Sequence, residues 1–194
     1  MPFVFKRLAF FLSIAAAFAA DKTSFRAPVA ADMPHRQTEQ GLTIGVDAYV
    51  SGDKVKLAFG KLAPYEYGIL PVLVVMQNDG AKAIQLRNMR VEYVGPGGDR
   101  AVATPAGEVR YVMGPDPLAG QRRAGPIPIN KKNPLDVWEI EGRSFAAQML
   151  PAGNAASGFF YFHTGLQPRA TLYVSGLAEA GTGRELIYFE IPLN

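Results

Sequence analysis

Cysteine is absent from this sequence, and histidine occurs only twice, as His35 and His163. Without cysteine the chain forms no disulfide and carries no lipid-modified cysteine, so an apolar core has to stabilise the fold. Two distant histidines without a cysteine do not make a structural zinc site. No Gly-x-Ser-x-Gly turn is present, which argues against a serine hydrolase. We therefore expect no metal, no cofactor and no catalytic residues.

Net charge is also nearly absent. The whole chain carries +3, and removal of Lys6 and Arg7 with the N-terminal segment described next leaves +1. A surface this close to neutral gives no general electrostatic reason to bind nucleic acid. The glycine-rich residues 95–98 lack the lysine and the following helix of a phosphate-binding loop, so we expect a simple turn there.

Long hydrophobic runs are lacking as well, apart from one at the N-terminus. Lys6 and Arg7 precede an apolar run over residues 8–18, which is shorter than the ~20 residues of a membrane-spanning helix. Ala17, Phe18 and Ala19 follow the small-x-small pattern of a signal peptidase site. The sequence predicts a cleaved signal peptide over residues 1–19. It therefore predicts a periplasmic or extracellular protein with no transmembrane segment in its mature form.

Residues 20–41 mix proline, alanine and charged residues without helical or strand periodicity. This composition predicts a flexible leader, which serves as a spacer. An alternative is an extended arm around residues 25–29 that pairs with the sheet edge of another subunit. We expect one folded domain over residues 42–194.

Short alternating segments begin at Leu42. The segment LTIGVDAYV places apolar side chains on one face with a period of two, and KVKLAF alternates again after a Ser-Gly-Asp turn. This pattern predicts a β-hairpin over residues 42–59. The apolar run at residues 69–76 is too short to cross a bilayer, and Pro71 disfavours a helix. It is typical of a strand covered on both faces.

Further strand patterns follow around residues 84–104, 144–150 and 158–164, and two more lie near the C-terminus. No alternation of strands with helices is present. The whole predicts an all-β fold, an antiparallel immunoglobulin-like β-sandwich of about seven to nine strands. A closed barrel is the alternative. The proline-rich residues 105–141 form one long insertion, in which Asn133 and Pro134 predict the start of a short helix.

Three segments carry a resemblance to bacterial exported immunoglobulin-like domains. They are VLVVMQNDGAKAIQL, RVEYVGPGGDRA and MLPAGNAASGFFYF, which together span roughly residues 70–164. The resemblance concerns architecture and implies a binding, adhesion, scaffold or accessory module. It brings no catalytic residues, because the group shares no catalytic motif. The insertion departs from a minimal domain of this kind.

The candidate binding residues lie in and near the insertion. A basic patch is formed by Arg122, Arg123, Lys131 and Lys132. Arginine recognises phosphate and carboxylate groups, so this patch is a candidate site for an anionic envelope polymer, with a solvated loop as the alternative. The aromatic run at residues 159–162 places aromatic side chains on both faces of a strand. We expect the insertion to cover one face through Trp138, or else Tyr161 and its neighbours to form a partner surface.

The sequence thus favours a non-catalytic exported module of the bacterial cell envelope that works by binding or assembly. Its expected partner is another envelope protein, a second copy of itself or an anionic polymer. One alternative is a structural subunit that polymerises through its N-terminal arm. Another is a hydrolase that uses carboxylates and tyrosines, for example Glu66 with Tyr65 and Tyr67.

Overall fold

The computed structural model describes residues 25–112, 133–135 and 137–194, and most of its regular structure is β. The predicted signal peptide and the predicted basic patch lie outside these residues. Eleven strands occur in the described part: His35–Glu39 (β1), Leu42–Ala48 (β2), Leu70–Asn78 (β3), Ile84–Gln85 (β4), Arg90–Val94 (β5), Arg100–Val102 (β6), Met149–Leu150 (β7), Ala155–Phe162 (β8), Thr171–Ser175 (β9), Ala178–Glu179 (β10) and Phe189–Pro192 (β11). Two short helices accompany them, Asp53–Phe59 (α1) and Trp138–Gly142 (α2).

The strands form three antiparallel sheets. The central sheet has the order β1-β2-β3-β8, and the outer sheet has the order β11-β9-β5-β6. A small sheet of two-residue strands, β10-β4-β7, lies beside them. The predicted all-β sandwich is confirmed. No helix in the described residues is long and apolar enough to span a membrane.

An inter-sheet core lies between the central and outer sheets. Alternate residues of β2 and β3 point into it, and they meet the inward residues of the outer sheet, among them Tyr93, Leu172 and Ile191. The alternation that the sequence shows from Leu42 to Ala48 therefore marks the inward face, as predicted.

A second core, the helical core, covers the opposite face of the central sheet. The other alternate residues of β3 and β8, including Leu73, Phe159 and Tyr161, pack there against α1, α2 and short 3-10 helices. The central sheet is thus buried on both faces. This confirms the prediction for residues 69–76, whose side chains are buried at every position.

The segment KVKLAF is a helix, so the prediction of a second hairpin strand is wrong. In α1, Val55, Ala58 and Phe59 are buried, whereas Leu57 is 52% exposed. Positions i, i+3 and i+4 share one face of a helix, and this face packs in the helical core. Over so short a segment, the apolar residues Val55, Leu57 and Phe59 are compatible with the period of a strand and with the period of a helix.

The predicted flexible leader is corrected over residues 25–41. Residues 35–39 form β1, which pairs with β2 along its whole length. The 3-10 helix Ala30–Asp32 precedes it and packs on the central sheet, where Ala30 and Met33 are fully buried. Gly45 leaves room for this contact, since a Cβ there would lie 2.5 Å from Met33 Cγ. β1 escapes prediction because it is a half-exposed edge strand of mainly polar residues.

Candidate functional site

An open groove lies where the edge of the central sheet approaches the edge of the outer sheet. Its volume is about 470 Å³, and most of its lining is apolar. We call it the edge groove and define it by Met89, Arg90, Ala103, Pro105, Phe145 and Phe160. Clefts of this size and character are where proteins usually hold small ligands. The groove is therefore the candidate functional site.

Two crossing segments at the outer edge of β8 build the groove. The chain that leaves β6 crosses to the central sheet, where the Thr104 amide donates to the Tyr161 carbonyl at 2.7 Å. On the other side, the Phe145 amide donates to the Phe159 carbonyl at 3.1 Å, and the Phe159 amide donates to the Arg143 carbonyl at 2.8 Å. These bonds satisfy the outward backbone groups of an edge strand and hold both walls in place.

Phe145 and Phe160 form the aromatic wall of the edge groove. Their ring centroids are 5.3 Å apart and their planes are nearly parallel, at 23°. Both side chains are only partly buried against the inter-sheet core, so part of each ring faces the groove. Offset stacking of this kind stabilises a pair beyond its buried area and holds the rings in one orientation.

Gly158 allows the second wall to approach β8. A Cβ at this position would lie 2.4 Å from Phe145 Cα and 2.5 Å from its amide nitrogen. Only glycine permits backbone atoms to come this close. The glycine in the segment SGFFYF thus serves the packing of residues 144–145 against the strand that bears Phe160.

The charged groups at the rim of the groove differ in whether they have an ion-pair partner. The Glu92 carboxylate forms a salt bridge of 2.7 Å with the Arg100 guanidinium. This guanidinium also lies over the Tyr173 ring, 5.1 Å from the ring centroid. Arg90 is exposed, and within the part of the chain that the structure describes it has no ion-pair partner. The groove therefore offers an apolar surface with one free guanidinium beside it.

Of the predicted binding residues, the structure describes Trp138 and Tyr161, and these two do not share an exposed surface. Trp138 is 71% exposed, and its indole lies over Gly142 of the same helix, where a Cβ would lie 2.5 Å from the ring. Tyr161 is buried, so it is a core residue and not part of a partner surface. The four residues of the predicted basic patch lie outside the described residues.

The insertion does cover the Phe159 face of β8, but through Ile140 and not Trp138. Ile140 is buried in α2, and the Tyr161 hydroxyl donates a hydrogen bond of 2.8 Å to its carbonyl. Burial raises the pKa of Tyr161 well above its usual range, which the nearby Arg143 offsets in part. A tyrosine held neutral in this way is suited to structure and not to proton transfer at ordinary pH.

Of the three residues in the alternative hydrolase hypothesis, one is used in a hydrogen bond and two are exposed. The Tyr65 hydroxyl accepts a hydrogen bond from the Leu166 amide at 3.1 Å, while Glu66 and Tyr67 are exposed. His35 lies in edge strand β1, and His163 is an exposed residue directly after β8. Within the described ranges, no three metal-ligating side chains converge.

A second, polar cleft of about 290 Å³ lies beside the small sheet. Glu179 is its centre and binds Lys82 at 2.8 Å, together with Arg184 and the Thr182 hydroxyl. The Lys82 ammonium, with the Arg184 guanidinium, lowers the pKa of the Glu179 carboxyl to about 2. Since these charges satisfy one another, the cleft is a structural ion-pair cluster.

Sequence reasoning missed the edge groove. Its walls come from four segments that are distant in sequence, around Met89, Ala103, Phe145 and Phe160. The local signals in the sequence are the aromatic run at residues 159–162 and the glycine before it, Gly158, and the sequence prediction emphasises Tyr161 instead of Phe160.

Comparison with known proteins adds a loose resemblance. No family model and no curated protein sequence matches the chain. Solved structures with a similar arrangement include MPT63, a secreted protein of Mycobacterium tuberculosis, with 12% identity and a TM-score of 0.35 over 80% of this chain and 91% of that one. The Bacillus subtilis protein YcdA has 9% identity and a TM-score of 0.37, and the match covers 81% of this chain but only 38% of YcdA. At such values these similarities carry no argument about function.

Proposed function

We propose that the chain is a non-catalytic binding module of the bacterial cell envelope and that it holds its ligand in the edge groove. The observation that carries this proposal is the groove itself, an open and largely apolar cleft of about 470 Å³ with a stacked aromatic wall. Export is supported by the N-terminal pattern of two basic residues, an apolar run and a small-x-small site.

The lining of the groove favours binding over catalysis. Among its described residues Glu92 is the one carboxylate, and that carboxylate already binds Arg100. The Ser144 hydroxyl donates to the Glu141 carbonyl at 2.8 Å, so it is engaged in the turn after α2. What remains is contact surface, which is what a binding module needs.

The contacts of residues 25–41 count against polymerisation through an N-terminal arm. The centroid of the Phe25 ring lies 5.5 Å from that of Phe159 and 6.3 Å from that of Tyr49. The Arg143 guanidinium lies 4.9 Å from the Phe25 ring centroid. An arm that paired with a neighbour would have to give up these aromatic contacts within its own chain. The groove proposal requires no such rearrangement.

A fluorescent probe tests the proposal. N-phenyl-1-naphthylamine is uncharged and apolar, and it brightens when it leaves water. We expect the chain without residues 1–19 to bind it, and we expect Ala103→Leu to weaken binding at least about tenfold by filling the groove. Leu57→Trp, on the exposed face of α1, is the control and should leave binding unchanged. Equal binding by both variants, with unchanged thermal unfolding, would refute the groove as the site.

A further inference from the structure

We infer that the ligand of the edge groove is a single-chain amphiphile with a carboxylate head, that is, a fatty acid whose chain lies against Phe145 and Phe160 and whose head meets Arg90. This inference rests on the proposed function, because it names the ligand class of the same site. It is carried by the juxtaposition of an apolar cleft with one unpaired guanidinium at its rim.

The apolar part of the groove suits one acyl chain. Each methylene takes up roughly the space of a water molecule, about 30 Å³, so a cleft of this kind accommodates about 10–14 carbons with some of its volume left to solvent. Met89, Ala103 and Phe145 present flexible, small and flat apolar surfaces, respectively. A linear chain fits such a lining without demanding hydrogen bonds from it.

The charge at the rim favours an anionic head. Glu92 is neutralised by Arg100 at 2.7 Å, whereas Arg90 has no ion-pair partner among the described residues. The unbalanced charge beside the groove is therefore positive. A guanidinium binds a carboxylate with two parallel hydrogen bonds, so a fatty acid satisfies both the apolar lining and the cation.

The backbone of β8 argues against an extended peptide as the occupant. Peptides that join a sheet edge need free amide and carbonyl groups there. Beside the groove these groups are already used, since Thr104 donates to Tyr161 and Phe145 donates to Phe159. A ligand in the groove therefore has to bind through side chains, which again suits an acyl chain.

Displacement of N-phenyl-1-naphthylamine from the chain without residues 1–19 tests the inference. Three ligands with a twelve-carbon chain are compared, each below its micelle-forming concentration or solubility limit: dodecanoate, dodecanol and dodecyltrimethylammonium. We expect dodecanoate to bind about tenfold more tightly than dodecanol, and the cationic ligand to bind most weakly. In a series from octanoate upwards, affinity should rise up to about fourfold for each added methylene and stop rising near the length that fills the groove.

Two arginine variants isolate the head group. Arg90→Gln should remove the preference for dodecanoate over dodecanol while leaving dodecanol binding unchanged. Arg87→Gln is the matched control, because Arg87 is exposed on the preceding turn and does not line the groove. The preference should survive in this control.

The outcomes separate the inference from the proposed function. If the probe binds and Ala103→Leu weakens its binding as expected, but dodecanoate and dodecanol displace it equally well, the groove stands as the site and the fatty acid is refuted as its ligand. If the probe does not bind, or binds the Ala103→Leu variant as tightly as the parent, both the proposed function and the inference are refuted. Light scattering adds one more outcome: a dimer that dissociates in Ala103→Leu would show that a second copy occupies the groove and would overturn the inference.

Discussion

The hydroxyl of Tyr161 donates a hydrogen bond of 2.8 Å to the carbonyl of Ile140, and both residues are buried. This single bond joins β8 of the central sheet to α2 of the insertion. A helix of five residues has little stability of its own, so its position depends on such tertiary contacts. The bond helps to hold the C-terminal end of the insertion on β8, together with the packing of Ile140 in the helical core.

Tyr161→Phe should therefore destabilise the fold by about 1–2 kcal/mol, because the Ile140 carbonyl then stays buried without this donor. Urea unfolding of the chain without residues 1–19 measures the loss. Tyr188→Phe is the control, since Tyr188 is 52% exposed. A Tyr161→Phe variant as stable as the parent would show that the bond contributes nothing.

Alkaline pH should also destabilise the protein. Burial, with a contribution from Asp47, raises the pKa of Tyr49 from 10.0 to about 12. A phenol that ionises more readily in the unfolded chain contributes stability below pH 10, and this contribution is lost as the pH rises towards 12. We expect the urea midpoint to fall over this interval and to fall less in Tyr49→Phe. An identical decline in the parent and the variant would contradict the assignment to Tyr49.

Acid should act through Glu179. Its pKa is lowered from 4.5 to about 2 by Lys82 and Arg184, so the carboxylate contributes stability above pH 4.5 that is lost as the pH falls towards 2. Glu179→Gln should lower the thermal midpoint at neutral pH. The difference between the midpoints of the variant and the parent should become smaller in acid. Glu66→Gln, at an exposed position, serves as the control. A constant difference between Glu179→Gln and the parent at all pH values would exclude the ion pairs as the cause.

Gly158→Ala should cost about 1–3 kcal/mol, because the added Cβ would force residues 144–145 away from β8. The nearest backbone atom, Phe145 Cα, would lie only 2.4 Å from that Cβ. Gly107→Ala is the matched control, with its nearest atom 3.9 Å away, and it should change stability by less than about 1 kcal/mol. Since Phe145 lines the groove, Gly158→Ala should also weaken probe binding; a variant with unchanged stability and binding would refute this close packing.

The sequence predicts what a local pattern determines. The apolar run at residues 69–76 has one solution, a strand buried on both sides, and the alternation from Leu42 to Ala48 identifies the inward face. The pattern fails where two periods coincide, as in α1, where Val55 and Phe59 suit a strand by alternation and a helix by a spacing of four. It also fails where pairing depends on a neighbour, as for the polar edge strand β1.

The site is harder to predict than the fold for a physical reason. The sequence predicts Trp138 as the contact that covers β8, yet Ile140 of the same helix faces the core, because packing against neighbouring elements sets the phase of a five-residue helix. The groove depends on where residues 104 and 145 cross the edge of β8. The second crossing leaves only Gly158 as a trace in the sequence, and a glycine within a strand does not say which segment approaches it.

The burial of the central sheet on both faces has a consequence for the accuracy of folding. In a sheet with one solvent-exposed face, a strand that slips by one residue turns its apolar side chains towards the solvent. In β3 a slip of one residue would instead move Leu73 from the helical core into the inter-sheet core and Met76 in the opposite direction, so both cores would receive side chains of a different shape. Packing in both cores therefore determines the register of β3 opposite Phe160, and with it the position of the aromatic wall.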